Sequence, residues 1–273
     1  MAINMLPYNM NDIAGKMNFL FITLDSLRYD VAQELYNANE IPNLAKFLPN
    51  GWDKAHSPGN FTFAAHQAFF SGFLPTPAKP GKYPRLFAAK FAGSETTSSQ
   101  TLVFDTADIL TGFENLDYQT VCIGGVGFFN KKTALGTVLP NLFQESYWEE
   151  NYGVTEKNST YYQIKKAVDI IQNTAKNLFL FINISAIHQP NWFYDPSNHN
   201  QIDNLKSHAA ALRYIDSQLP ELFLALEEKG DTFCIICSDH GTAYGEEGYV
   251  GHRISHPTVW EVPMTTFILN KKI

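Results

Sequence analysis

The chain has 273 residues, of which 45% are hydrophobic, and its formal net charge at pH 7 is −7. This apolar content is sufficient for a large buried core and excludes an intrinsically disordered chain. The acidic balance argues against a general binder of nucleic acid or of an anionic membrane, because both partners require an extensive basic surface.

The predicted elements alternate between apolar strands and amphipathic helices. In chain order the patterns predict a strand at 19–24, helices at 27–36 and 65–70, a strand at 120–123, a helix at 161–172, a strand at 178–184, a helix at 205–226, and strands at 232–237 and 264–269. This alternation predicts an α/β fold, a three-layer α/β/α sandwich with a mostly parallel central sheet. No segment resembles an interdomain linker, so residues 1–273 are predicted to form a single domain.

The N-terminal region and the cysteines favour a cytoplasmic location. The first apolar run is short, is followed at once by Asp25 and Arg28, and precedes no small-residue cleavage site. No run approaches the ~20 apolar residues that a membrane span needs. The three cysteines, Cys122, Cys234 and Cys237, do not make a disulfide framework. Cys234 and Cys237 are interpreted either as small apolar residues of a buried strand or as a redox or zinc-binding pair.

Three of the predicted strands end in residues that bind metals or anions. The first strand runs into Asp25, the strand at 178–184 leads to His188, and the next strand leads to Asp239 and His240. Open α/β sheets bind ligands beyond the carboxyl ends of their strands, so these side chains are predicted to meet at one edge of the sheet. Taken alone, Asp239 has an alternative interpretation as a helix cap.

Thr62 stands at the predicted start of a helix, after a tight loop that contains Pro58 and Gly59. The free N–H groups and the dipole of a helix N-terminus favour an anionic substrate and a lowered hydroxyl pKa. Thr62 is therefore a candidate nucleophile, provided that a base or a metal activates it. The alternative is that Thr62 or Asn60 is an ordinary N-cap.

Two glycine-rich segments follow predicted strands. Residues 124–127 are interpreted either as a cradle for a phosphate or as a tight turn. Residues 245–253 carry carboxylates, His252 and Arg253, a combination more typical of a ligand site than of a cap.

The other histidines have separate interpretations. His66 is interpreted either as a contact of a substrate anion or as a satisfied histidine on a helix face. His199 and His208 are predicted to lie on the surface.

The chain resembles the alkaline phosphatase, arylsulfatase and phosphoethanolamine-transferase superfamily. The similar segments occur in the family's order and cover nearly the whole chain: residues 21–30, 58–72, 188–190, 238–252 and 260–264. Three further segments, at residues 57–77, 122–130 and 188–194, resemble a short, soluble bacterial branch of this superfamily. Members of that branch are often encoded beside a radical-SAM enzyme of the coproporphyrinogen-oxidase type. The resemblance implies an alkaline-phosphatase-like fold and a hydrolase.

Carried over residue by residue, the resemblance implies a metal site. It implies that Asp25, Thr62, Asp239 and His240 bind the ion, and that Thr62 is the nucleophile. Zinc is the expected ion, with manganese or calcium as alternatives, because ligand type alone does not separate them.

The resemblance also implies residues that face the substrate. His188 and His252 are expected to contact the substrate's anionic group or to hold a second ion, and His66 and Arg253 to contact the substrate anion. One ion is expected and a second is left open, because Asn183 and not a carboxylate stands in register before His188.

These features predict a metal-dependent hydrolase or transferase of phosphoester or phosphonoester bonds that acts on a small-molecule anionic ester. Sulfatases carry a Cys or Ser that becomes formylglycine within a Cys-x-Pro-x-Arg signature, whereas the run here is Thr62-Phe63-Ala64-Ala65-His66. The alternatives are a sulfatase-like sulfuric ester hydrolase, a phosphate-shifting mutase, and a metal-binding, non-catalytic module that acts with a partner enzyme. Relatives continue into a further C-terminal segment, so a partner protein that completes the substrate site is also expected.

Overall fold

The computed structural model describes residues 7–93 and 96–272, and its elements are numbered here in chain order. Within these ranges the strands are β1 (Asn18–Leu24), β2 (Asp53–His56), β3 (Thr76–Pro77), β4 (Phe87–Ala89), β5 (Leu102–Phe104), β6 (Gln119–Ile123), β7 (Glu145–Tyr147), β8 (Leu178–Ile184), β9 (Thr232–Cys237), β10 (Ala243–Tyr244), β11 (Val250–Gly251) and β12 (Glu261–Leu269). The α-helices are α1 (Met10–Ile13), α2 (Tyr29–Asn37), α3 (Pro42–Ala45), α4 (Thr62–Phe70), α5 (Ile109–Glu114), α6 (Ala134–Val138), α7 (Ser159–Asn173), α8 (Leu205–Lys229) and α9 (Pro257–Trp260).

Among the described residues, eight strands form one sheet in the order β3-β2-β12-β9-β1-β8-β6-β7. The five strands from β9 to β7 are parallel to one another. Strand β12 pairs antiparallel with β9, and β2 and β3 continue that edge in alternating directions. The prediction of an α/β fold with a mostly parallel sheet is therefore confirmed.

The central strand β1 separates two hydrophobic cores because its side chains alternate between the faces of the sheet. Leu20, Ile22 and Leu24 pack on one face with helices α2, α3, α7 and α8. Phe19 and Phe21 pack on the other face with α1, α4 and α5. All seven residues of β1 are buried, which explains why its sequence is continuously apolar rather than alternating. The sheet is thus the middle layer of the predicted three-layer sandwich.

The buried parallel strands lie where the sequence predicts them, and the antiparallel edge was only partly predicted. Strands β8 and β9 have the predicted bounds, and β12 begins at Glu261, before the predicted start at residue 264. Strand β2 was not predicted, because three of its four side chains are exposed and its sequence contains no apolar run. Cys234 and Cys237 lie in β9, where burial raises the pKa of both thiols; this position fits their interpretation as small apolar strand residues.

The helices that flank the site are longer than their apolar patterns. Helix α4 begins at Thr62 rather than at residue 65, and α8 continues through Pro220 to Lys229. Within the described ranges no helix is long and apolar enough to cross a membrane. The single domain predicted for residues 1–273 stays a prediction, and residues 1–6, 94–95 and 273 lie outside the described part of the chain.

Candidate functional site

The carboxyl ends of β1 and β9 bring three potential metal ligands together. Asp25 follows β1 and Asp239 and His240 follow β9, and the two strands are neighbours in the sheet. Each of the three residues offers a ligand atom, these atoms lie within 4.8 Å of one another, and all three residues are buried. The meeting of these side chains at one sheet edge is the arrangement that the sequence predicts.

The two carboxylates are held very differently. Asp239 Oδ1 accepts hydrogen bonds from the backbone N–H groups of Ser26 (3.2 Å) and His240 (3.0 Å), whereas its buried Oδ2 has no hydrogen-bond partner among the described residues. Burial, and then the charge of Asp25, raises the pKa of Asp239 well above its ordinary value. Burial alone would also raise the pKa of Asp25, but the neighbouring His188 and His240 together with the amide of Asn183 lower it.

His240 presents one nitrogen lone pair to these carboxylates. Its Nδ1 lies 2.8 Å from the carbonyl oxygen of Gly241, and because a carbonyl only accepts, Nδ1 carries the proton. Nε2 is then unprotonated and lies 3.5 Å from Asp239 Oδ2. Burial lowers the pKa of His240, which keeps the imidazole neutral. An orphaned carboxylate oxygen beside a free imidazole lone pair is a donor set that fits a divalent cation such as zinc or manganese.

Thr62 is the first residue of α4 and its hydroxyl points at this group. Thr62 Oγ1 lies 3.3 Å from Asp25 Oδ2 and 3.3 Å from His240 Nε2. The preceding residue, Phe61, provides no side-chain cap, so the N–H groups of the first helical turn are not satisfied by a cap. Gly59 allows the approach to the helix, because a Cβ there would lie 2.5 Å from the backbone nitrogen of Ala65.

His66 lies beneath Thr62 and does not reach the cleft, so the expected contact with a substrate anion is corrected. His66 Nδ1–H donates to the Thr62 carbonyl oxygen at 2.7 Å, and Nε2 accepts from Thr23 Oγ1 at 3.0 Å. The ring is fully buried against phenylalanines, including Phe69 and Phe181, and burial lowers its pKa to about 4. His66 is the satisfied, neutral histidine of the alternative interpretation.

A cleft of about 680 Å³ opens in front of Thr62, and His188, His252 and Arg253 line it. The ring centroids of His188 and His252 are 5.9 Å apart, and those of His240 and His252 are 4.5 Å apart. Burial, and then the neighbouring His240 and His188, lowers the pKa of His252 to about 4. The structure therefore brings the predicted site residues together, and His66 lies among them below the cleft, with its Nδ1 3.8 Å from Asp239 Oδ2.

A hydrogen-bonded network behind the cleft was not predicted. His208 is fully buried in α8, so its prediction as a surface residue was wrong, whereas His199 is exposed as predicted. His208 Nε2 accepts from the Arg28 backbone N–H at 3.3 Å, and its Nδ1 lies 3.0 Å from the Tyr244 hydroxyl. Asn191 Nδ2 donates to the same hydroxyl at 3.0 Å. Burial, and then the charge of Arg28, lowers the pKa of His208 to about 3, so the ring is neutral.

This network joins three segments of the site. Arg28 lies three residues after Asp25, Asn191 lies three residues after His188, and Tyr244 begins the hairpin that leads to His252. The Arg28 guanidinium also contacts Glu246 in the tip of that hairpin. One tyrosine hydroxyl and one buried histidine thus connect the three segments behind the cleft.

Asn183 is the main site residue that the sequence analysis did not assign. Its Nδ2 donates to Asp25 Oδ2 at 3.1 Å and to Thr23 Oγ1 at 3.2 Å, and its Oδ1 accepts from the Val126 N–H at 3.0 Å. A polar residue within an otherwise apolar, fully buried strand was the available signal, because a buried amide needs partners.

Gly124 and Gly125 connect β6 to Val126, and a 3₁₀ helix at Gly127–Phe129 follows. A Cβ on Gly125 would lie 2.3 Å from the carbonyl oxygen of Asn183, so the close approach of the two backbones requires glycine there. This close approach accounts for Gly125, and the tight turn and the phosphate cradle both stay predictions.

Several solved structures share this fold. The C-terminal periplasmic domain of phosphoethanolamine transferase EptC from Campylobacter jejuni is 14% identical with a TM-score of 0.62, over 93% of this chain and 79% of that one. The corresponding domain of EcEptC from Escherichia coli, in complex with Zn, is 13% identical with a TM-score of 0.60, over 94% and 74%. A protein of the alkaline phosphatase superfamily from Vibrio parahaemolyticus is 19% identical with a TM-score of 0.57, over 95% and 62%.

At these identities the similarity concerns the fold, and it confirms the predicted alkaline-phosphatase-like architecture. Among curated proteins no relative matches the chain. The profile of the Sulfatase family matches residues 17–266, from the start of β1 through most of β12. This match covers the sheet and all the site residues described above, and the chain therefore belongs to the Sulfatase family.

Proposed function

We propose that this protein is a metal-dependent hydrolase or transferase of phosphoester or phosphonoester bonds, with Thr62 as its nucleophile. The observation that carries the proposal is the position of Thr62 Oγ1, 3.3 Å from both Asp25 Oδ2 and His240 Nε2 and open to the cleft. A hydroxyl with a carboxylate, an imidazole lone pair and a helix N-terminus around it is placed for nucleophilic attack on an anion.

Asp25, Thr62, Asp239 and His240 are the residues that would hold the ion. Zinc is the first choice and manganese or calcium the alternatives, and the zinc complex of the Escherichia coli relative supports that order. A bound divalent ion supplies a lowered pKa for a hydroxyl and stabilises negative charge on a transferred group. One ion accounts for the orphaned oxygen of Asp239.

The proposed reaction has two displacement steps. Thr62 Oγ forms a bond to phosphorus while the bond from phosphorus to the leaving oxygen breaks, and the Thr62 hydroxyl proton ends on that oxygen, so that a neutral alcohol departs. Asp25 Oδ2, which accepts from the Thr62 hydroxyl at 3.3 Å, orients Oγ1 for the attack. Water, or an acceptor alcohol in a transferase, then forms a bond to phosphorus while the bond from phosphorus to Thr62 Oγ breaks, and the proton that this water or alcohol loses restores the Thr62 hydroxyl.

His188 and His252 are proposed to contact the non-bridging oxygens or to hold a second ion. His188 Nδ1 lies 2.5 Å from the Gln189 carbonyl oxygen, so Nδ1 carries the proton and a neutral ring keeps its lone pair on Nε2. That lone pair suits a second ion or the acceptance of a proton from the substrate's anionic group.

Sulfate-ester hydrolysis is the second candidate, and the Sulfatase family match favours it. Threonine is not converted to formylglycine, so sulfate turnover here requires direct attack by Thr62. The non-catalytic, metal-binding module is a third candidate, and it predicts a metal-loaded protein without turnover. A cytoplasmic location and a partner protein that completes the substrate site remain predictions.

A hydrolysis panel tests the proposal. Nitrophenyl phosphate, bis-nitrophenyl phosphate, nitrophenyl phenylphosphonate and nitrophenyl sulfate are assayed with zinc- or manganese-loaded protein. Thr62→Ala is expected to reduce phosphoester or phosphonoester turnover by at least about 10³-fold, while Thr62→Ser retains part of it because the hydroxyl remains. Thr155→Ala, at an exposed threonine, is the matched control. If the Thr62→Ala variant still hydrolyses these esters, Thr62 is not the nucleophile.

A further inference from the structure

Aromatic rings flank the proposed nucleophile. Phe61 and Phe63 stand on either side of Thr62 in the chain, and the ring of Phe128 lies against both, with centroid separations of 6.3 Å and 5.6 Å. All three rings are only partly buried. We name Phe61, Phe63 and Phe128 the aromatic shelf, and Phe128 is the member that lines the cleft.

The cleft beyond the aromatic shelf has an apolar wall. Val126, Leu135 and Val154 line the cleft together with Phe128 and come from three segments that follow β6 and β7. Leu135 is 49% exposed, so its side chain can contact a ligand and is not packed in the hydrophobic core. Exposed apolar side chains gathered beside a reactive group are typical of a ligand-binding surface.

A cation also lines this cleft. Arg253 is exposed, and its guanidinium carbon lies 5.4 Å from the ring centroid of Phe61. Its backbone is in the left-handed region, with φ of 67°, and its N–H donates to the Asn60 carbonyl oxygen at 2.9 Å. This backbone conformation is uncommon for a non-glycine residue. The guanidinium of this cleft-lining arginine lies over the Phe61 ring. Arginine in this position suits two oxygens of a phosphoryl or phosphonyl group.

We propose that the substrate carries an apolar, ring-sized substituent on its phosphoryl or phosphonyl group, and that this substituent packs between the aromatic shelf and the apolar wall. Arg253 and the two cleft histidines then face the anionic oxygens while Thr62 faces phosphorus. The proposal rests on the proposed function for the identity of the anionic group. It distinguishes an aryl or similarly apolar ester from one whose substituent bears a charge.

Binding tests this preference without requiring turnover. Calorimetric titrations of the zinc-loaded protein compare phenylphosphonate with methylphosphonate and with 2-aminoethylphosphonate. Burying a phenyl ring against apolar side chains is expected to make phenylphosphonate bind roughly 10–50-fold more tightly than methylphosphonate. Equal affinities for the phenyl and methyl compounds, or tighter binding of the aminoethyl compound, would overturn the proposal.

Two variants localise the effect. Phe128→Ala is expected to remove most of the phenyl preference and to leave methylphosphonate binding within about twofold of wild type, because the small ligand makes no contact with the ring. Val138→Ala is the control, because Val138 is an exposed apolar residue of the same helix as Leu135 but does not line the cleft. A phenyl preference unchanged in Phe128→Ala contradicts the assigned subsite.

The turnover arm separates this proposal from the proposed function. Nitrophenyl phenylphosphonate and nitrophenyl methylphosphonate share a leaving group and differ only in the retained substituent. If neither is hydrolysed but phenylphosphonate binds preferentially, the subsite stands and the catalytic proposal fails. If both are hydrolysed with equal kcat/KM and the two ligands bind equally, the catalytic proposal stands and the subsite fails.

Discussion

Asp239→Asn should stabilise the metal-free protein while removing a ligand of the proposed metal site. In the wild type, two carboxylates are buried at one sheet edge, and Asp239 Oδ2 has no hydrogen-bond partner among the described residues. Asparagine keeps the carbonyl oxygen that accepts from the N–H groups of Ser26 and His240. The side-chain NH2 group of asparagine replaces the unpaired Oδ2 and carries no charge. The cost of burying a negative charge and its repulsion from Asp25 are therefore both removed.

The sign and size of the effect follow from proton linkage. In the unfolded chain an aspartate titrates at a pKa of about 3.9. In the folded protein the pKa of Asp239 is raised. At pH values between the unfolded pKa and the raised folded pKa, the folded state therefore binds more protons than the unfolded state. The free energy of unfolding falls as the pH rises through this window. Within that window the loss is about 1.4 kcal/mol for each pH unit. Asp239→Asn should recover this free energy.

The assay is urea unfolding of chelator-treated protein at several values between about pH 4 and about pH 8, the range that spans ordinary and raised carboxyl titration. The variant's advantage should grow with pH and vanish near the acid end. Zinc at a hundredfold excess over its Kd should stabilise the wild type by about 2.7 kcal/mol and the variant by much less. Asp105→Asn, at a carboxylate that is 82% exposed, is the control. An advantage that does not depend on pH, or a variant less stable than wild type throughout, refutes this reasoning.

Three further substitutions test the supports of the site. Tyr244→Phe removes the acceptor of a buried histidine N–H and should lower the free energy of unfolding by about 1–3 kcal/mol, measured by urea unfolding. Asn183→Ala removes a donor to Asp25 and should weaken zinc affinity roughly 10–100-fold, measured by competition with a chelator. Gly241→Ala places a Cβ 1.9 Å from the Thr258 carbonyl oxygen and should cost about 3 kcal/mol or more, measured by thermal unfolding.

The chain offers matched controls for two of these changes. Tyr249→Phe alters a phenol in the same hairpin that is 47% exposed, and it should leave stability within about 0.5 kcal/mol of wild type. Gly127→Ala adds a Cβ whose nearest neighbour lies 3.9 Å away, so no clash is expected. If these controls are as damaging as Tyr244→Phe and Gly241→Ala, the structural reasons given for the latter two are incorrect.

The sequence predicts the parallel part of the fold well because burial on both faces leaves a continuous apolar run. Strands β1, β6, β8 and β9 carry that signature, and their ends locate Asp25, Asp239 and His240 without reference to distances. Strand β2 carries no such run, since it lies in the antiparallel part of the sheet, between β12 and the two-residue strand β3, and three of its four side chains are exposed. Short antiparallel strands of this kind are specified by pairing, which a single sequence does not display.

The residues that the sequence misplaced or left unassigned act through long-range hydrogen bonds. His208 lies in an amphipathic helix where a surface position was plausible, yet it is buried by contacts with Arg28 and Tyr244, which are distant in sequence. His66 stands where a sulfatase carries arginine, but here the ring turns under the helix to reach Thr23. Helical spacing indicates which face a side chain occupies, and it does not indicate which polar atoms from other segments meet it there.

The hydrogen bonds of the site are distributed so that only one of its two carboxylates is stable as an anion. Asp25 accepts from Ser26 Oγ, Thr62 Oγ1 and Asn183 Nδ2, so it remains charged although it is buried. Asp239 receives its donors on one oxygen, and the other is left towards His240 without one. A fold under selection for stability alone would pair or replace such an oxygen, because an unsatisfied buried acceptor costs about 1–3 kcal/mol. This unpaired oxygen beside an unprotonated imidazole nitrogen supports the proposed metal site, because one bound cation would satisfy both groups.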